Sequence, residues 1–278
     1  MPYPVTQCLT AVARYKAGHN LASGVLLTLW LAVAASPVFA ERLTVAVASN
    51  FSAPMRDIGK AFELESDHSV RFAFGSSGKL ASQILQGAPF AAFFSADQSK
   101  PALLIEKGVA SQSSQFTYAI GRLALWSADA EVDPIVLLRG DSYRKLALAN
   151  PKLAPYGQAA VDVLESLKLA HISRAKWVQG ENIAQTYQFV DSANAELGFV
   201  AYAQIYRGGQ LAKGSVWLVP STLHTAIRQD AVLLGAKPSV AASQFMHFMR
   251  SPQVKTILAG YGYQSDSEAG VESDEIEQ

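Results

Sequence analysis

From residue 43 onward the chain alternates short, unbroken apolar runs with segments of helical periodicity. Residues 43–48, 70–74 and 90–96 read as strands, followed by helices over 53–65, 78–86 and 100–107. Runs that are apolar throughout, rather than alternating in polarity, suit parallel strands covered on both faces. A βαβαβ start of this kind implies a doubly wound α/β sheet. Residues 116–127 then form an extended stretch about twice the usual strand length. A second α/β series follows, with strands at 146–149, 176–179 and 197–201 and helices at 158–167, 183–192 and from Tyr202. Another extended stretch, 225–234, comes after Pro220, and helices over 240–249 and 252–258 close the body. The expected architecture is therefore bilobal, with two doubly wound lobes joined by two extended hinge crossings. Lobe I covers 41–121 and 222–264 and is discontinuous; lobe II covers 122–221.

Four strand-to-helix junctions share one design, a small polar or Gly/Pro-marked turn that opens a helix. They are Ala48-Ser49-Asn50-Phe51, Gly75-Ser76-Ser77-Gly78, Ala154-Pro155-Tyr156-Gly157 and Gly180-Glu181-Asn182-Ile183. A helix start carries unpaired backbone N–H groups and the positive end of the macrodipole, so each is a potential anion seat. In open α/β sheets ligands bind beyond the C-terminal ends of the strands, which is where all four junctions fall. Two from each lobe would face one another across a cleft. With almost no basic or nucleophilic residue beside them, they point to an anion held by neutral dipoles.

Each junction also has an ordinary structural reading. Ser77 could be a capping serine, but a doubled serine between two glycines exceeds what a cap requires, and a ligand role is preferred. Lys79 suggests a phosphate-binding P-loop, yet that motif needs Ser or Thr after the lysine and this chain has Leu80. Ser49 and Asn50 offer a hydroxyl, an amide and backbone N–H groups, or simply a capping turn. Tyr156 has an N–H free to face the cleft, or is a packing aromatic. Ile183 could contribute only its backbone N–H, and from the residue alone it reads as core.

Catalysis has little to stand on. His68, His171, His224 and His247 fall in four different elements, none with another His, Asp or Glu at metal-ligand spacing. No Gly-x-Ser-x-Gly elbow occurs. Asp97, after the third strand, could be a catalytic carboxylate but reads better as a helix-starting acid. Arg228 and Asp230 read as a structural pair on the second crossing. An α/β hydrolase using Ser77 as nucleophile is the alternative from another functional class.

The ends have characters of their own. Arg14 and Lys16 precede an apolar run, residues 26–33, and Ser36-Pro37-Val38-Phe39-Ala40 fits a signal-peptidase site. Residues 1–40 are expected to be an export signal cleaved after Ala40, rather than a membrane anchor, because the apolar run is short. The single cysteine, Cys8, lies in that leader, so the mature chain has neither disulfides nor thiolate chemistry. Cleavage removes two bases and leaves 21 basic against 23 acidic residues. Six of the acids lie in 265–278, an expected disordered, solvating tail. The body, with 21 bases against 17 acids, has no basic stripe of the kind nucleic-acid binding needs.

Taken together and in order, these blocks closely resemble the periplasmic molybdate-binding proteins that feed ABC transporters. The resemblance covers residues 41–264. It rests on Val47-Ala48-Ser49-Asn50-Phe51, Gly75-Ser76-Ser77-Gly78, Gln86-Gly87-Ala88-Pro89 with Phe94-Ser95-Ala96-Asp97, Asn150-Pro151-Lys152-Leu153-Ala154-Pro155-Tyr156-Gly157, and Leu197-Gly198-Phe199-Val200-Ala201. It implies a class II periplasmic-binding-protein fold that closes on a tetrahedral oxyanion, with no enzyme activity and no cofactor. The ligand, molybdate or tungstate, would be held by Ser49, Asn50, Ser77 and the backbone N–H groups of Tyr156 and Ile183. The implied partners are the permease and ATPase of the transporter at the inner membrane, met by a periplasmic monomer. Two departures stand out: some members have a ligand tyrosine where this chain has Ala201, and many have an acid at Ala92. A carrier for sulfate or another oxyanion is the alternative within the class.

Overall fold

The computed structural model describes residues 40–264; the expected leader (apart from Ala40), Cys8 and the expected acidic tail lie outside the described residues. The chain begins with β1 (Arg42–Ala48), a 3-10 turn (Ser49–Phe51), α1 (Ser52–Glu65), β2 (Ser69–Gly75), α2 (Ser77–Leu85), β3 (Ala92–Phe94) and α3 (Ser99–Glu106). The long extended stretch resolves into two strands, β4 (Phe116–Gly121) and β5 (Leu123–Ser127). Next come α4 (Pro134–Arg139), β6 (Leu146–Ala149), α5 (Pro155–Ser166), α6 (Ala170–Ser173), β7 (Trp177–Gly180), α7 (Ile183–Asp191) and β8 (Leu197–Ala201). The short α8 (Tyr202–Ile205), a hairpin of β9 (Tyr206–Arg207) and β10 (Gln210–Leu211), and β11 (Ser215–Leu218) lead to β12 (Ile227–Leu233), α9 (Val240–Phe248) and α10 (Pro252–Gly260).

Two five-stranded sheets result, ordered β2-β1-β3-β12-β4 and β11-β5-β8-β6-β7. β4 and β5 are separated only by Arg122 yet lie in different sheets, so the chain crosses between sheets at that residue. It returns between Leu218 and Ile227. This is the bilobal α/β architecture expected from the pattern. Both sheets are mixed rather than wholly parallel: β12 runs antiparallel to β3 and β4, and β5 runs antiparallel to β8 and β11. The strand that enters each sheet after a crossing, β5 in one and β12 in the other, is the reversed one, while β4 and β11 keep the direction of the remaining strands.

The unbroken apolar runs have a direct cause. Along β1, Leu43, Val45 and Val47 pack into one core with Phe51, Met55, Ile58, Phe62 and Phe245, while Ala46 faces another with Leu80, Ile84, Phe93 and Leu104. The second sheet repeats this arrangement. Leu146 and Leu148 join a core with Leu123, Leu125, Val163 and Phe199, while Ala147 faces Trp126, Val190 and Val200. Side chains alternate across a strand, so a strand buried on both faces must be apolar at every position. Helix α1 comes close to its sheet through Gly59, where a Cβ would lie 2.6 Å from the Phe72 ring.

The sequence pattern missed α4, α6, the β9–β10 hairpin and β11, each six residues or fewer. The expected third strand, 90–96, is shorter in the structure, Ala92–Phe94, although Ala91 and Ser95 still donate N–H bonds to Thr44 and Asp230. No helix among the described residues is long and apolar enough to cross a membrane.

Candidate functional site

The turn after β1 places Ser49 and Asn50 where the strand hydrogen bonds end, and no side chain caps its N-terminus. The Asn50 carboxamide is already engaged. Its Nδ2 donates to Gln229 Oε1 at 2.7 Å and to the Tyr263 hydroxyl at 3.1 Å. Tyr263 in turn donates to the Asn50 carbonyl at 3.3 Å. What Asn50 has left to offer is its backbone N–H, not the amide that the sequence suggests.

Helix α2 begins with Ser77, and the preceding Ser76 makes no side-chain capping bond. Ser77 Oγ accepts the Ala96 N–H at 2.9 Å, which occupies a lone pair and leaves its own proton free to donate. Ser76 Oγ is buried without a hydrogen-bond partner among the described residues. Gly78 donates its N–H to the Leu153 carbonyl at 2.9 Å, a bond from α2 to the loop before α5. A Cβ at residue 78 would stand 3.1 Å from that oxygen, so glycine permits the approach.

Helix α5 opens with Pro155, which lacks an N–H, and its N-cap Ala154 has no side-chain acceptor. The Tyr156 N–H, second in the helix, therefore has neither an intrahelical acceptor nor a cap. Helix α7 is capped by Asn182, whose Oδ1 accepts from Ala184 and Gln185 at 3.0 and 3.1 Å. The cap takes the second and third donors of the helix and leaves the first, the Ile183 N–H. Gln204 holds this corner in place: its Nε2 donates to the Ile183 carbonyl at 3.1 Å and its Oε1 accepts the Ala201 N–H at 2.9 Å.

Ser49, Asn50, Ser77, Tyr156 and Ile183 are all 1–4 % exposed. They sit at the C-terminal strand edges of both sheets, and the Ser49–Phe51 turn packs against α7. An ion pair between Lys79 and Glu181 spans from α2 to the turn before α7. A groove of about 460 Å³ runs nearby, lined by residues including Asp97, Lys100, Lys152, Pro155, Asp162 and Arg228. None of the five site residues lines it, so the enclosed junctions and this open groove are separate features.

Beneath Asn50 and Tyr156 lies a buried polar cluster that no local pattern in the chain marks. The Tyr118 hydroxyl is 2.9 Å from the Ser95 carbonyl and 3.2 Å from Gln229 Oε1. The Tyr156 hydroxyl lies close to Tyr263 and Asn50 without a well-formed hydrogen bond to either, and Gln229 Nε2 is likewise unpaired. Burial, reinforced by neighbouring tyrosines, holds the hydroxyls of Tyr118 and Tyr156 well above their ordinary pKa. Burial pushes that of Tyr263 up as well. All three are neutral donors near pH 7.

The residues considered for catalysis have structural partners. Asp97 accepts the Lys100 N–H in the first turn of α3 at 3.0 Å and pairs with Lys100 Nζ at 3.0 Å. Asp230 accepts from Gln98, Gln115 and Thr117, the last at 2.7 Å. These bonds satisfy the Asp230 carboxylate. His68 Nδ1 accepts the Glu41 N–H at 3.2 Å, and its ring stacks on Phe62. The bond that Ser77 Oγ receives comes from a backbone N–H, which activates nothing.

Comparison with known proteins agrees with this arrangement. Residues 43–264 match the family described as bacterial extracellular solute-binding protein. The molybdate-binding protein ModA of Azotobacter vinelandii is 45% identical over 227 residues, covering 81% of this chain and 90% of that protein. The ModA of Rhodobacter capsulatus is 44% identical over 232 residues, covering 82% and 90%. The solved periplasmic molybdate-binding protein of Azotobacter vinelandii superposes with a TM-score of 0.77 at 37% identity, covering 80% of this chain and 99% of that one. A matched span that takes in both sheets and all four junctions shows that the chain belongs to the bacterial extracellular solute-binding protein family.

Proposed function

We propose that this protein captures molybdate in the periplasm and delivers it to an ABC transporter, without catalysing a reaction. Tungstate, which has the same shape and charge, would be taken as well. The observation that carries the reading is the convergence of four helix starts whose leading N–H groups lack side-chain acceptors, together with the free Ser77 proton. The proposed shell is Ser49, the N–H of Asn50, Ser77, and the N–H groups of Tyr156 and Ile183. The mature chain would start after Ala40 and act as a monomer that meets the permease and ATPase at the inner membrane. Residues 41–121 with 222–264 form one lobe and 122–221 the other. Closure would be hinge bending at the two crossings, with the ligand favouring the closed state.

The chemistry of the ligand matches a site made of donors alone. Molybdate is fully deprotonated near neutrality, so its oxygens only accept hydrogen bonds. Phosphate usually carries a proton and requires an acceptor. Sulfate matches in charge and shape but is smaller, so cavity size must discriminate. Hydrogen bonds to a charged group contribute roughly 1.5–3 kcal/mol each, and fixed dipoles in an enclosed site need no reorganisation to supply them.

Calorimetric titration of the mature chain with molybdate, tungstate, sulfate and phosphate tests the reading. Tight one-to-one binding of the first two, with far weaker sulfate, is expected. Equal binding of sulfate would reassign the carrier, and no binding of any of the four would overturn the proposal.

A further inference from the structure

The ion pair between Lys79 and Glu181 joins a cation that its own helix dipole disfavours to an anion that stands beside a proposed ligand donor. Lys79 is the third residue of α2, in a first turn that contains no acid. A cation there opposes the positive end of the helix dipole. Glu181 precedes the Asn182 cap of α7, where an anion suits the dipole but would repel a dianion seated on the Ile183 N–H. Each charge is two residues from a proposed ligand donor, Ser77 on one side and Ile183 on the other. Their contact joins the helix that follows β2 of one sheet to the turn that follows β7 of the other. The Gly78 to Leu153 hydrogen bond, one residue away, crosses the same boundary. About half of each side chain is exposed to solvent, so the pair lies at the rim of the enclosed junctions.

We propose that Lys79 and Glu181 form an electrostatic gate at the cleft mouth. With the cleft open, Lys79 draws the incoming dianion toward α2; on closure its ammonium passes to the Glu181 carboxylate, which latches the lobes. The exchange explains how a donor-only site can recruit a doubly charged ligand without holding a fixed cation against it. It also relieves the repulsion that Glu181 alone would exert. The gate rests on the oxyanion reading above, but it concerns rates rather than the identity of the ligand.

The test is stopped-flow molybdate binding to the mature protein, followed by the fluorescence of Trp126, Trp177 and Trp217, at several salt concentrations. Wild type is compared with K79Q, E181Q, K79Q/E181Q and the reversed pair K79E/E181K. A wild-type chain that shows no molybdate binding would refute the oxyanion reading itself; the gate is judged on a chain that binds. K79Q is expected to slow association about threefold or more at low salt and to flatten its salt dependence. E181Q should leave association unslowed. Both single variants should speed dissociation by about two- to fivefold, as expected for losing a partly exposed pair. The double variant should dissociate no faster than either single variant, and the reversed pair should restore slow dissociation. Additive effects in the double variant, or a reversed pair that dissociates as fast as the singles, would overturn the latch. Unchanged association in K79Q would overturn the steering role.

Discussion

The hydroxyl of Tyr156 occupies the space that a side chain at Gly121 would need. A Cβ at residue 121 would also lie 2.9 Å from Gln229 Nε2 and 3.0 Å from Tyr156 Cζ. Gly121 is the last residue of β4, immediately before the crossing at Arg122, whereas Tyr156 lies in the first turn of α5 against the other sheet. The residue whose N–H is proposed to hold the ligand thus plugs its ring into the hinge. Backbone and side chain of one residue join the ligand seat to the crossing.

Replacing Gly121 with alanine should therefore act at both places. The added methyl group would force Tyr156 and Gln229 apart, at a cost of about 1–3 kcal/mol typical of overpacking. Displacing Tyr156 would also tilt its N–H. Urea unfolding should show the lost stability, and calorimetry should show weaker molybdate binding in the same variant. Unchanged affinity would mean that the ring and the N–H are not mechanically coupled.

Tyr156→Phe should behave differently. The hydroxyl is buried without a well-formed bond, so its removal leaves no partner stranded and should change stability by less than about 1 kcal/mol in either direction. Molybdate affinity should stay within a few-fold of wild type, because the proposed contact is the backbone N–H. A thermal melt with a parallel titration checks both, and a tenfold or greater loss of affinity would reveal the hydroxyl as a ligand contact.

Ser77→Ala removes the proposed donor and also strands the Ala96 N–H that Oγ accepts. Affinity should fall on the order of tenfold or more, with a smaller loss of stability of about 1 kcal/mol. The fold should survive, as circular dichroism would show. Retained affinity in a folded variant would exclude Ser77 from the shell.

Alkaline pH probes the tyrosine cluster. Tyr118, Tyr156 and Tyr263 all have pKa values raised above the ordinary 10.0 in the folded protein. The unfolded chain therefore releases these protons first. Their contribution is fully present below about pH 10 and declines as pH rises above it. Urea midpoints should be level between pH 8 and 9.5 and fall beyond 10, with tyrosinate absorbance from these residues appearing only as the chain unfolds. Tyrosinate signal from all eight tyrosines of residues 41–278 in a still-folded protein would contradict the burial argument.

Much of the fold could be read directly from the residues. The strands at 146–149 and 197–201 begin and end where the apolar runs do, because both are covered on two faces and their boundaries coincide with turns. The split of 116–127 into β4 and β5 was visible only as excess length, since nothing at Arg122 marks a change of sheet. Short elements such as β11 and α6 escaped because four residues carry too little periodicity to register.

The two α/β series, the long crossings and the four helix-opening turns were legible along the chain, because each is set by a local pattern of apolar spacing, Gly, Pro and capping residues. Which donors stay free depends on packing between distant parts of the chain. Asn50 gives its amide to Gln229 and Tyr263, 179 and 213 residues away, while Ser77 keeps its proton because Ala96 supplies one to it. Hydrogen-bond commitments of that kind depend on which strands lie side by side, and chain order does not encode that proximity locally.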